Sequence, residues 1–448
     1  MRGLYHRDAY DLGRKVPSFW EHSAGPAPDG CRPIDGDVDC EIAIIGGGYT
    51  GLSAALHLAQ DSGVEAVVLE AGEIGWGASG RNGGFCCLGS HKLGNEEQIK
   101  RFGLEATRAY FNAQVEAIDL VRDLGRREAI DFDATGSGET VLAHHPSRLA
   151  ELREEQEFLF ETFGVESTLH TKNALAESGM SSPAVHGGLH VPVGFGLHPG
   201  KYVRGLARAA IKAGARVATR SEVTGWSKEG GRHVLTTPGG RVRAKKVLIA
   251  TNGYTSDSLT KAVSGRTLPA FSKAIATRPM SDAELAAQGW TTTEMVFDTR
   301  TLLHWFRLLP DKRMVFGARG DFNADRAGEA ARKADLVADF HAIFPAWKDI
   351  DIPFFWSGLV CLAFDRAPHL GAFDPGSGVF YSLAYHGNGV AMASWSGRAM
   401  ARLMTEGEKA AGIPAIMRKP LPRFPFPALR LLYLRAAYGY YGLRDALS

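Results

Sequence analysis

Three glycines stand at a spacing that could hold a phosphate group. Gly46, Gly48 and Gly51 form the pattern G-x-G-x-x-G, and an acidic residue, Glu70, follows nineteen residues later. Glycine weakens strand and helix interiors, so such a cluster indicates a backbone that must go where a Cβ atom cannot. The glycines would permit a tight turn, close approach to a diphosphate and close helix–strand packing, while the acid would accept hydrogen bonds from ribose hydroxyls.

The sequence around these glycines predicts a complete β-α-β unit. An apolar run at residues 42–45 indicates a strand buried on both faces, and apolar residues then recur at helical spacing up to residue 59. Gly63 is placed to end the helix, and Ala66–Leu69 predicts the second strand. The alternative to a dinucleotide-binding unit is a tight glycine turn in an α/β sheet that binds no ligand. We expect a dinucleotide with free ribose hydroxyls, FAD or NAD, to contact Gly46, Gly48, Tyr49, Thr50, Gly51, Glu70 and Ala71.

A second glycine-rich loop follows Glu70, where a simple NAD-binding unit would continue into another helix. Such a loop can wrap the far end of an extended dinucleotide, which favours FAD over NAD. Arg81 is a candidate for a phosphate or a substrate carboxylate, with a solvated loop arginine as the alternative, and Ser79 and Asn82 are candidates for the diphosphate or the ribityl chain. The predicted contacts in this loop are Gly77, Ala78, Ser79, Arg81, Asn82, Gly83 and Gly84.

Two later stretches carry side chains that could take part in catalysis. Alternating residues before a turn at 310–312 predict a β-hairpin, in which His304 and Arg307 face opposite sides. His304 is either catalytic or a hydrogen-bonded sheet histidine, and Arg307, like Arg319, either binds a carboxylate or faces solvent. A strand at residues 379–383 leads through a glycine turn into an amphipathic helix from Val390. The catalytic candidates are His304, Arg307, Tyr385 and His386.

Composition and charge narrow the class of protein. The 448 residues are 45% hydrophobic and 22% charged, as in a globular protein, and the balance of 51 basic against 49 acidic residues argues against broad nucleic-acid binding. The five cysteines form no C-x-x-C pair, which makes a metal site or a disulfide framework unexpected and favours a reducing cytoplasm. We expect neither a secretory signal nor a membrane span, which needs about 18 apolar residues.

The stretches IGGGYTGLSAALHLA and VVLEAGEIGWGASGRNGG resemble the FAD-dependent oxidoreductases of the D-amino-acid oxidase superfamily. The signature at residues 76–84 is most similar to the branch typified by gamma-glutamylputrescine oxidoreductase. The resemblance implies an α/β fold, in which a Rossmann-like FAD-binding domain of the glutathione-reductase type interleaves with an α+β substrate domain built on an antiparallel sheet. It assigns 36–97, 190–267 and 356–410 to the FAD-binding domain, 98–189 and 268–355 to the substrate domain, and 1–35 and 411–448 to packing arms.

The same resemblance implies further contacts with FAD. A strand at residues 247–250 leads into a turn that family members use as a second contact with FAD. The glycine turn at residues 385–389, the late bend, and the helix that follows it contact the flavin ring. The helix dipole there would stabilise negative charge on the ring. The residues implied are Val223, Thr251, Asn252, Gly253, Trp356, Gly358, Gly387, Asn388, Gly389 and Val390. We expect the FAD to be non-covalent, because Cys361 does not match the position of a covalent cysteine.

The chemistry implied is oxidation of a C–N bond by hydride transfer to flavin N5, followed by imine hydrolysis and reoxidation by O2 to H2O2 or by another electron acceptor. Sarcosine oxidase carries a carboxylate-clamping lysine where this sequence has Ala391. This favours an amine, an N-substituted amine or a polyamine conjugate as the substrate. Activity of the sarcosine, glycine or D-amino-acid type stays open, since an arginine could replace the clamp.

Two alternatives from other classes also remain. An NAD-dependent dehydrogenase would share the first glycine motif, although it would lack a reason for the second loop and the late bend. A flavin-binding subunit without turnover of its own would share all three. The amine, the electron acceptor, the oligomeric state and the role of the basic, aromatic C-terminal tail stay open.

Overall fold

The computed structural model describes residues 3–89, 92–322 and 325–447. The strands are β1 Val38–Ile45, β2 Ala66–Leu69, β3 Phe85–Cys86, β4 Glu139–Leu142, β5 Thr168–Thr171, β6 Gly187–Val191, β7 Phe195–Gly196, β8 Arg216–Ala218, β9 Gly225–Glu229, β10 Arg232–Thr237, β11 Gly240–Ile249, β12 Leu268–Ala276, β13 Met295–Asp298, β14 His304–Leu308, β15 Met314–Arg319, β16 Phe354–Leu362, β17 His369–Ala372 and β18 Val379–Leu383.

The helices are α1 Phe19–Ser23, α2 Tyr49–Ser62, α3 Asn95–Phe102, α4 Leu104–Arg127, α5 Leu149–Phe163, α6 Lys172–Glu177, α7 Pro199–Lys212, α8 Asp282–Gln288, α9 Glu329–Ile343, α10 Val390–Thr405, α11 Glu408–Ala411, α12 Ala415–Arg418 and α13 Arg430–Leu447. Within the part of the chain that is described, no helix is both long enough and apolar enough to cross a membrane.

The first sheet is built around the predicted β-α-β unit. Its order is β17-β18-β11-β1-β2-β8, with β10 paired to β11 and β9 to β10. The pairs β18–β11, β11–β1, β1–β2 and β2–β8 are parallel. The four buried residues at the end of β1 alternate between two apolar clusters, one shared with α2, α4, α7 and α10 and the other with β10 and β11. A strand buried on both faces was the expectation for residues 42–45.

Two details of this region differ from the sequence-based expectation. The glycine turns after residue 221 favour three short strands and then a separate buried strand at 247–250, whereas β11 is one continuous strand, Gly240–Ile249. Its first half pairs with β10 and its second half with β18, so one strand serves both a hairpin and the parallel sheet. Residues 98–165 are rich in helical pattern, but β4 lies among the helices and pairs with β6 and β13.

The second sheet has the order β16-β12-β15-β14-β13-β4-β6-β5 and is antiparallel except for the pair β13–β4. The hairpin β14–β15 forms at the predicted turn, where Lys312 adopts a φ of 63°. One face packs through Phe306 and Phe316 against α9. The other face, which carries Trp305, turns towards the first sheet and forms one wall of a cavity.

Both terminal regions pack against the rest of the molecule. The Trp20 side chain is fully buried, and its Nε1 donates to the carbonyl oxygen of Asn82. At the other end Arg430 is buried and forms an ion pair with Asp257. β6 crosses the predicted domain limit at 189–190, and β16 crosses the one at 355–356. The second sheet therefore contains residues assigned to the FAD-binding domain as well as residues assigned to the substrate domain. The domain limits themselves stay a prediction.

Candidate functional site

The first glycine turn leaves no room for side chains. Gly46 has a φ of +111°, and a Cβ atom on it would lie 2.8 Å from the carbonyl oxygen of Ala250. A Cβ atom on Gly51 would lie 2.0 Å from the carbonyl oxygen of Gly46, which shows how closely α2 packs on the turn. Gly48 precedes α2 and has no capping side chain, so the first N–H groups of this 14-residue helix point to the space in front of it.

Glu70 is fixed by the backbone at the end of β2. One carboxylate oxygen accepts a hydrogen bond of 2.7 Å from the N–H of Gly47, and the other accepts one of 2.9 Å from the N–H of Gly72. Burial raises the pKa of Glu70, while these two N–H groups lower it. Glu70 and Ala71 line the same cavity as the glycine turn. A carboxylate held in this way is placed to accept hydrogen bonds from ribose hydroxyls.

The second glycine loop is held against the start of α2. Ser79 Oγ accepts a hydrogen bond of 3.0 Å from the N–H of Tyr49. The amide of Asn82 donates to the carbonyl oxygens of Ala78 and Ser79 and to the Tyr49 hydroxyl. Gly77, Ala78, Ser79 and Asn82 line the cavity of the first turn. The predicted loop contacts therefore lie beside the predicted turn contacts, with Ser79 and Asn82 also fixing the loop.

Close packing also explains the last two glycines of this loop. A Cβ atom on Gly83 would lie 2.6 Å from the Trp305 ring, and one on Gly84 would lie 2.0 Å from the carbonyl oxygen of Leu197. Gly83 borders a second cavity, which lies between the loop and the second sheet.

Arg81 lines the second cavity and directs two of its five N–H donors to the main chain. Its Nε donates 2.6 Å to the carbonyl oxygen of Trp76, and its guanidinium donates 3.0 Å to that of Ser357 and stacks over the Trp76 ring. The indole of Trp356 donates to the carbonyl oxygen of Arg81, and a Cβ atom on Gly358 would lie 3.1 Å from the Arg81 side chain. Arg81, Trp356 and Gly358 thus join the loop to β16.

The turn after β11 connects the first cavity with the late bend. Val223, Thr251 and Asn252 line the cavity. The amide oxygen of Asn252 accepts a hydrogen bond of 2.9 Å from the N–H of Ala384. Gly253 lies behind them, where a Cβ atom would come 2.9 Å from the carbonyl oxygen of Leu359.

The late glycine bend closes the other end of this cavity. The Tyr385 hydroxyl lies 2.9 Å from Thr50 Oγ1 and 2.6 Å from Ser382 Oγ, which ties the bend to α2. Gly387 has a φ of +93°, and Gly389 precedes the 16-residue helix α10. Gly387, Gly389 and Val390 line the first cavity. Two glycine turns that are far apart in sequence therefore face one space.

The two remaining bend residues point elsewhere. The amide of Asn388 donates to the carbonyl oxygen of Leu88, and Asn388 lines the second cavity. His386 is buried behind the bend, where its Nε2 lies 3.2 Å from the carbonyl oxygen of Ala367. His386 lines neither cavity.

The first cavity has a volume of about 320 Å³ and the second about 390 Å³. They share a wall formed by Ala78, Asn82, Leu359, Val360, Gly387 and Val390. An extended ligand in the first cavity would therefore present one end to the second. The glycine turn, the helix N-terminus and the buried acid all fit an adenine dinucleotide, and the far end at α10 fits its reactive ring.

His304 and Arg307 occupy opposite faces of the second sheet, as predicted, and neither lines the two cavities. His304 binds Asp298 at 2.9 Å and Asp339 at 3.5 Å on the α9 side. Burial alone would lower the pKa of His304, but hydrogen bonds to the two carboxylates raise it to about 9. Arg307 is buried on the other face and donates to the carbonyl oxygens of Gly83 and Leu197.

The second cavity contains Arg319, which the sequence left as either a carboxylate ligand or a solvent-facing charge, and three charged residues that the sequence-based predictions omit. These three are Lys92, Glu139 and Glu155, and Cys87 lies among them. A glutamate at the start of an otherwise apolar strand, as in Glu139–Leu142, is the signal that could have drawn attention to β4. Among residues 3–89, 92–322 and 325–447, no group of three or more His, Cys, Asp or Glu side chains is arranged to hold a metal ion.

Comparison with known proteins agrees with this arrangement. The model of the family DAO, described as FAD dependent oxidoreductase, matches residues 41–403. Gamma-glutamylputrescine oxidoreductase of Escherichia coli (strain K12) is 32% identical over 93% of this chain and 95% of its own length. A probable oxidoreductase, OrdL, of Rhizobium meliloti is 30% identical over 92% of this chain and 95% of its own.

Solved structures show the same fold. Glycine oxidase from Geobacillus kaustophilus superposes with a TM-score of 0.70 at 23% identity, over 87% of this chain and all 100% of that one. L-proline dehydrogenase from P. horikoshii superposes with a TM-score of 0.67 at 19% identity, over 90% of this chain and 99% of that one. The predicted mixed α/β fold class is confirmed.

Proposed function

The chain belongs to the DAO family of FAD-dependent oxidoreductases, and from this premise we propose that it oxidises the C–N bond of an amine or an N-substituted amine. Membership confirms the predicted family and its cofactor, FAD. In our proposal the FAD is bound without a covalent bond, since Cys361 lies outside the linings of both cavities.

The first cavity is the proposed FAD site. The turn around Gly48 and the start of α2 would hold the diphosphate, Glu70 the ribose, and the bend at Gly387–Gly389 the flavin ring. When bound, FAD supplies a hydride acceptor and passes the electrons on to O2, giving H2O2, or to another acceptor. The N-terminus of α10 places the positive end of its dipole at this bend.

The observation that carries the proposal is the wall shared by the two cavities. It supports a substrate position in the second cavity, because a substrate carbon must lie beside the flavin ring for hydride transfer. Aromatic rings from the glycine loop, the helices and the sheet surround this space: Phe85, Phe111, Phe163, Phe297 and Trp305. These rings give the space apolar walls, and the carboxylate of Glu139 gives it a complement for a cationic amine.

The distribution of arginine contacts supports an amine rather than a simple α-amino acid as the substrate. Ala391, at the position of the sarcosine oxidase lysine, is buried and offers no charge. Arg81 and Arg307, which could have replaced it, donate to main-chain carbonyl oxygens. The name of the Escherichia coli relative points to a polyamine conjugate, and the second cavity, with a volume of about 390 Å³, leaves room for an N-substituted amine.

One observation favours the second candidate, oxidation of an α-amino acid. Arg319 lines the second cavity, and a Cβ atom on Gly387 would lie 3.3 Å from its guanidinium. Within the described residues, neither a hydrogen bond nor an ion pair of the Arg319 side chain is found. A substrate carboxylate could bind there.

A panel of substrates distinguishes these candidates. The FAD-loaded protein is mixed anaerobically with primary amines, acyl-polyamine conjugates, sarcosine and glycine, and loss of the blue flavin absorbance is followed. We expect the amines to bleach the flavin at least 10-fold faster than sarcosine or glycine, and peroxide to form when air is admitted. Equal rates for sarcosine or glycine would favour the amino-acid candidate. Bleaching without peroxide would indicate another acceptor, and no bleaching would indicate a subunit without turnover.

A further inference from the structure

Glu139 is a buried carboxylate that lines the second cavity. It begins β4, and its backbone pairs with Met295 and Val191, which leaves the side chain on the cavity face of the sheet. Only 7% of its surface is exposed. A carboxylate buried to this degree needs a partner or a function.

A single thiol connects Glu139 to the bend. The Cys87 side chain lies close enough to Glu139 to lower the pKa of its carboxyl, and its Sγ lies 3.3 Å from the amide nitrogen of Asn388. Asn388 stands between Gly387 and Gly389, which line the expected flavin site. Glu139 is therefore placed beside the point where a substrate must meet the flavin ring.

Lys92 lies beside this carboxylate, and Arg319 and Arg81 also line the cavity. Lys92 lowers the pKa of Glu139 electrostatically, and Arg319 lies close enough to Lys92 to lower the pKa of its ammonium, on which burial has the largest effect. Burial raises the pKa of Glu139 to about 7, while Cys87 and Lys92 oppose the rise. The remaining carboxylate of the cavity, Glu155 on α5, accepts a hydrogen bond of 2.7 Å from Asn95. It already has a neutral partner.

We propose, on the premise that the protein oxidises amines, that Glu139 binds the ammonium group of the substrate and accepts one of its protons. The N–H bond breaks, its electron pair stays on nitrogen, and an O–H bond forms on the carboxylate, so that R–NH3+ and COO− become R–NH2 and COOH. The positive charge of Arg319 disfavours an ammonium ion in the cavity, and burial of Glu139 favours its protonated form, which Lys92 opposes. The neutral amine has the free electron pair that lets its α-carbon release hydride.

The first test compares Glu139→Gln with Glu155→Gln over a range of pH. We expect Glu139→Gln to lower kcat/KM for a primary amine about 100-fold at pH 7, in the range usual for a lost proton acceptor. The loss should shrink to less than about 5-fold near pH 10, where alkyl amines lose the proton to solvent. Glu155→Gln should change kcat/KM less than about 5-fold, and Glu139→Asp should recover part of the activity. A deficit in Glu139→Gln that stays constant with pH would overturn the proposal.

The second test measures binding without turnover. The probe is tert-butylamine, which has no α-hydrogen and cannot be oxidised, and isothermal titration calorimetry gives its Kd for the FAD-loaded proteins. Glu139→Gln should weaken binding at least 10-fold, whereas Glu155→Gln should change it less than about 2-fold. Equal Kd values for the Glu139 variant and the unaltered protein would overturn the proposal. The flavin spectrum and a thermal melt confirm that each variant is folded.

The two tests separate failure of this inference from failure of the proposed function. If the unaltered protein oxidises no amine but binds tert-butylamine through Glu139, the ammonium site stands and amine oxidation does not. If it oxidises amines and both Glu139 readouts are unchanged, amine oxidation stands and the role of Glu139 does not.

Discussion

Glu139 is a residue whose burial is unfavourable for folding. Its pKa rises from an ordinary 4.5 to about 7 because burial outweighs the stabilising contacts with Cys87 and Lys92. A carboxyl group whose pKa is higher in the folded than in the unfolded protein destabilises the fold once the pH exceeds the unfolded value. Residues that serve function are often unfavourable in this way, and the position of Glu139 beside the late bend offers a reason for keeping it.

The same titration predicts a pH-dependent gain in stability for Glu139→Gln. The unaltered protein loses stability relative to the variant as the pH rises from 4.5 through about 7. In this range the Glu139 carboxylate is ionised in the unfolded chain, and folding must protonate it or bury its charge. We expect the two proteins to unfold alike near pH 4.5, and the variant to be more stable by up to about 3 kcal/mol at pH 8. Urea unfolding at both pH values measures the difference. A variant that is less stable at pH 8 would contradict the burial argument.

At the scale of elements, the turn between β1 and α2 depends on the absence of side chains. Gly51 lies inside α2, where alanine is normally favoured, yet a Cβ atom there would lie 2.0 Å from the carbonyl oxygen of Gly46. Neither partner can move alone, because the turn is bonded to Leu69 and the helix packs on α10. Helix propensity and tertiary packing therefore oppose each other at this position.

We accordingly predict opposite effects for one substitution at two helical glycines. Gly51→Ala should destabilise the protein by about 1–3 kcal/mol through overpacking and should lower the ratio of flavin to protein absorbance after purification. Gly439→Ala in α13 is the matched control, since nothing lies within 4 Å of the added Cβ atom. It should stabilise the protein by about 0.5–1 kcal/mol. If Gly51→Ala retains full flavin and stability, the close packing of α2 on the turn is not required.

At the scale of the whole molecule, the first cavity joins four parts of the chain that are distant in sequence. Its lining comes from residues around 10–12, 45–82, 222–259 and 359–393. A ligand that contacts the last three holds the first sheet to the late bend and to β16. Binding to the folded form alone adds stability that grows with ligand concentration.

Addition of FAD to the cofactor-depleted protein should therefore raise its melting temperature. At a free FAD concentration about 100 times Kd, the expected stabilisation is about 2.7 kcal/mol, or a few degrees. Riboflavin, which lacks the diphosphate and adenine, should produce a smaller shift, and NAD should produce none at equal concentration. A scan of melting temperature against ligand concentration measures all three. A shift with NAD as large as that with FAD would revive the dehydrogenase alternative.

The sequence by itself determined the β-α-β unit, the glycine turn and the family, because these depend on local backbone sterics and on short motifs. Gly46 is favoured by its own positive φ and Gly51 by its contact with the carbonyl oxygen of Gly46, both within the turn, so their spacing is visible in the chain. The late bend was also found from its glycines. That it faces the same cavity as the first turn followed only from family resemblance until the structure showed it.

Only the tertiary structure decided which charged side chains are available to a ligand. Arg81 and Arg307 looked suited to an anion, but their hydrogen bonds go to carbonyl oxygens as far away as Ser357 and Leu197. No sequence motif pointed to Glu139, because its surroundings depend on strand pairing and on the thiol of Cys87 from another part of the chain. The partners of a charge are set by long-range packing, which no local pattern encodes.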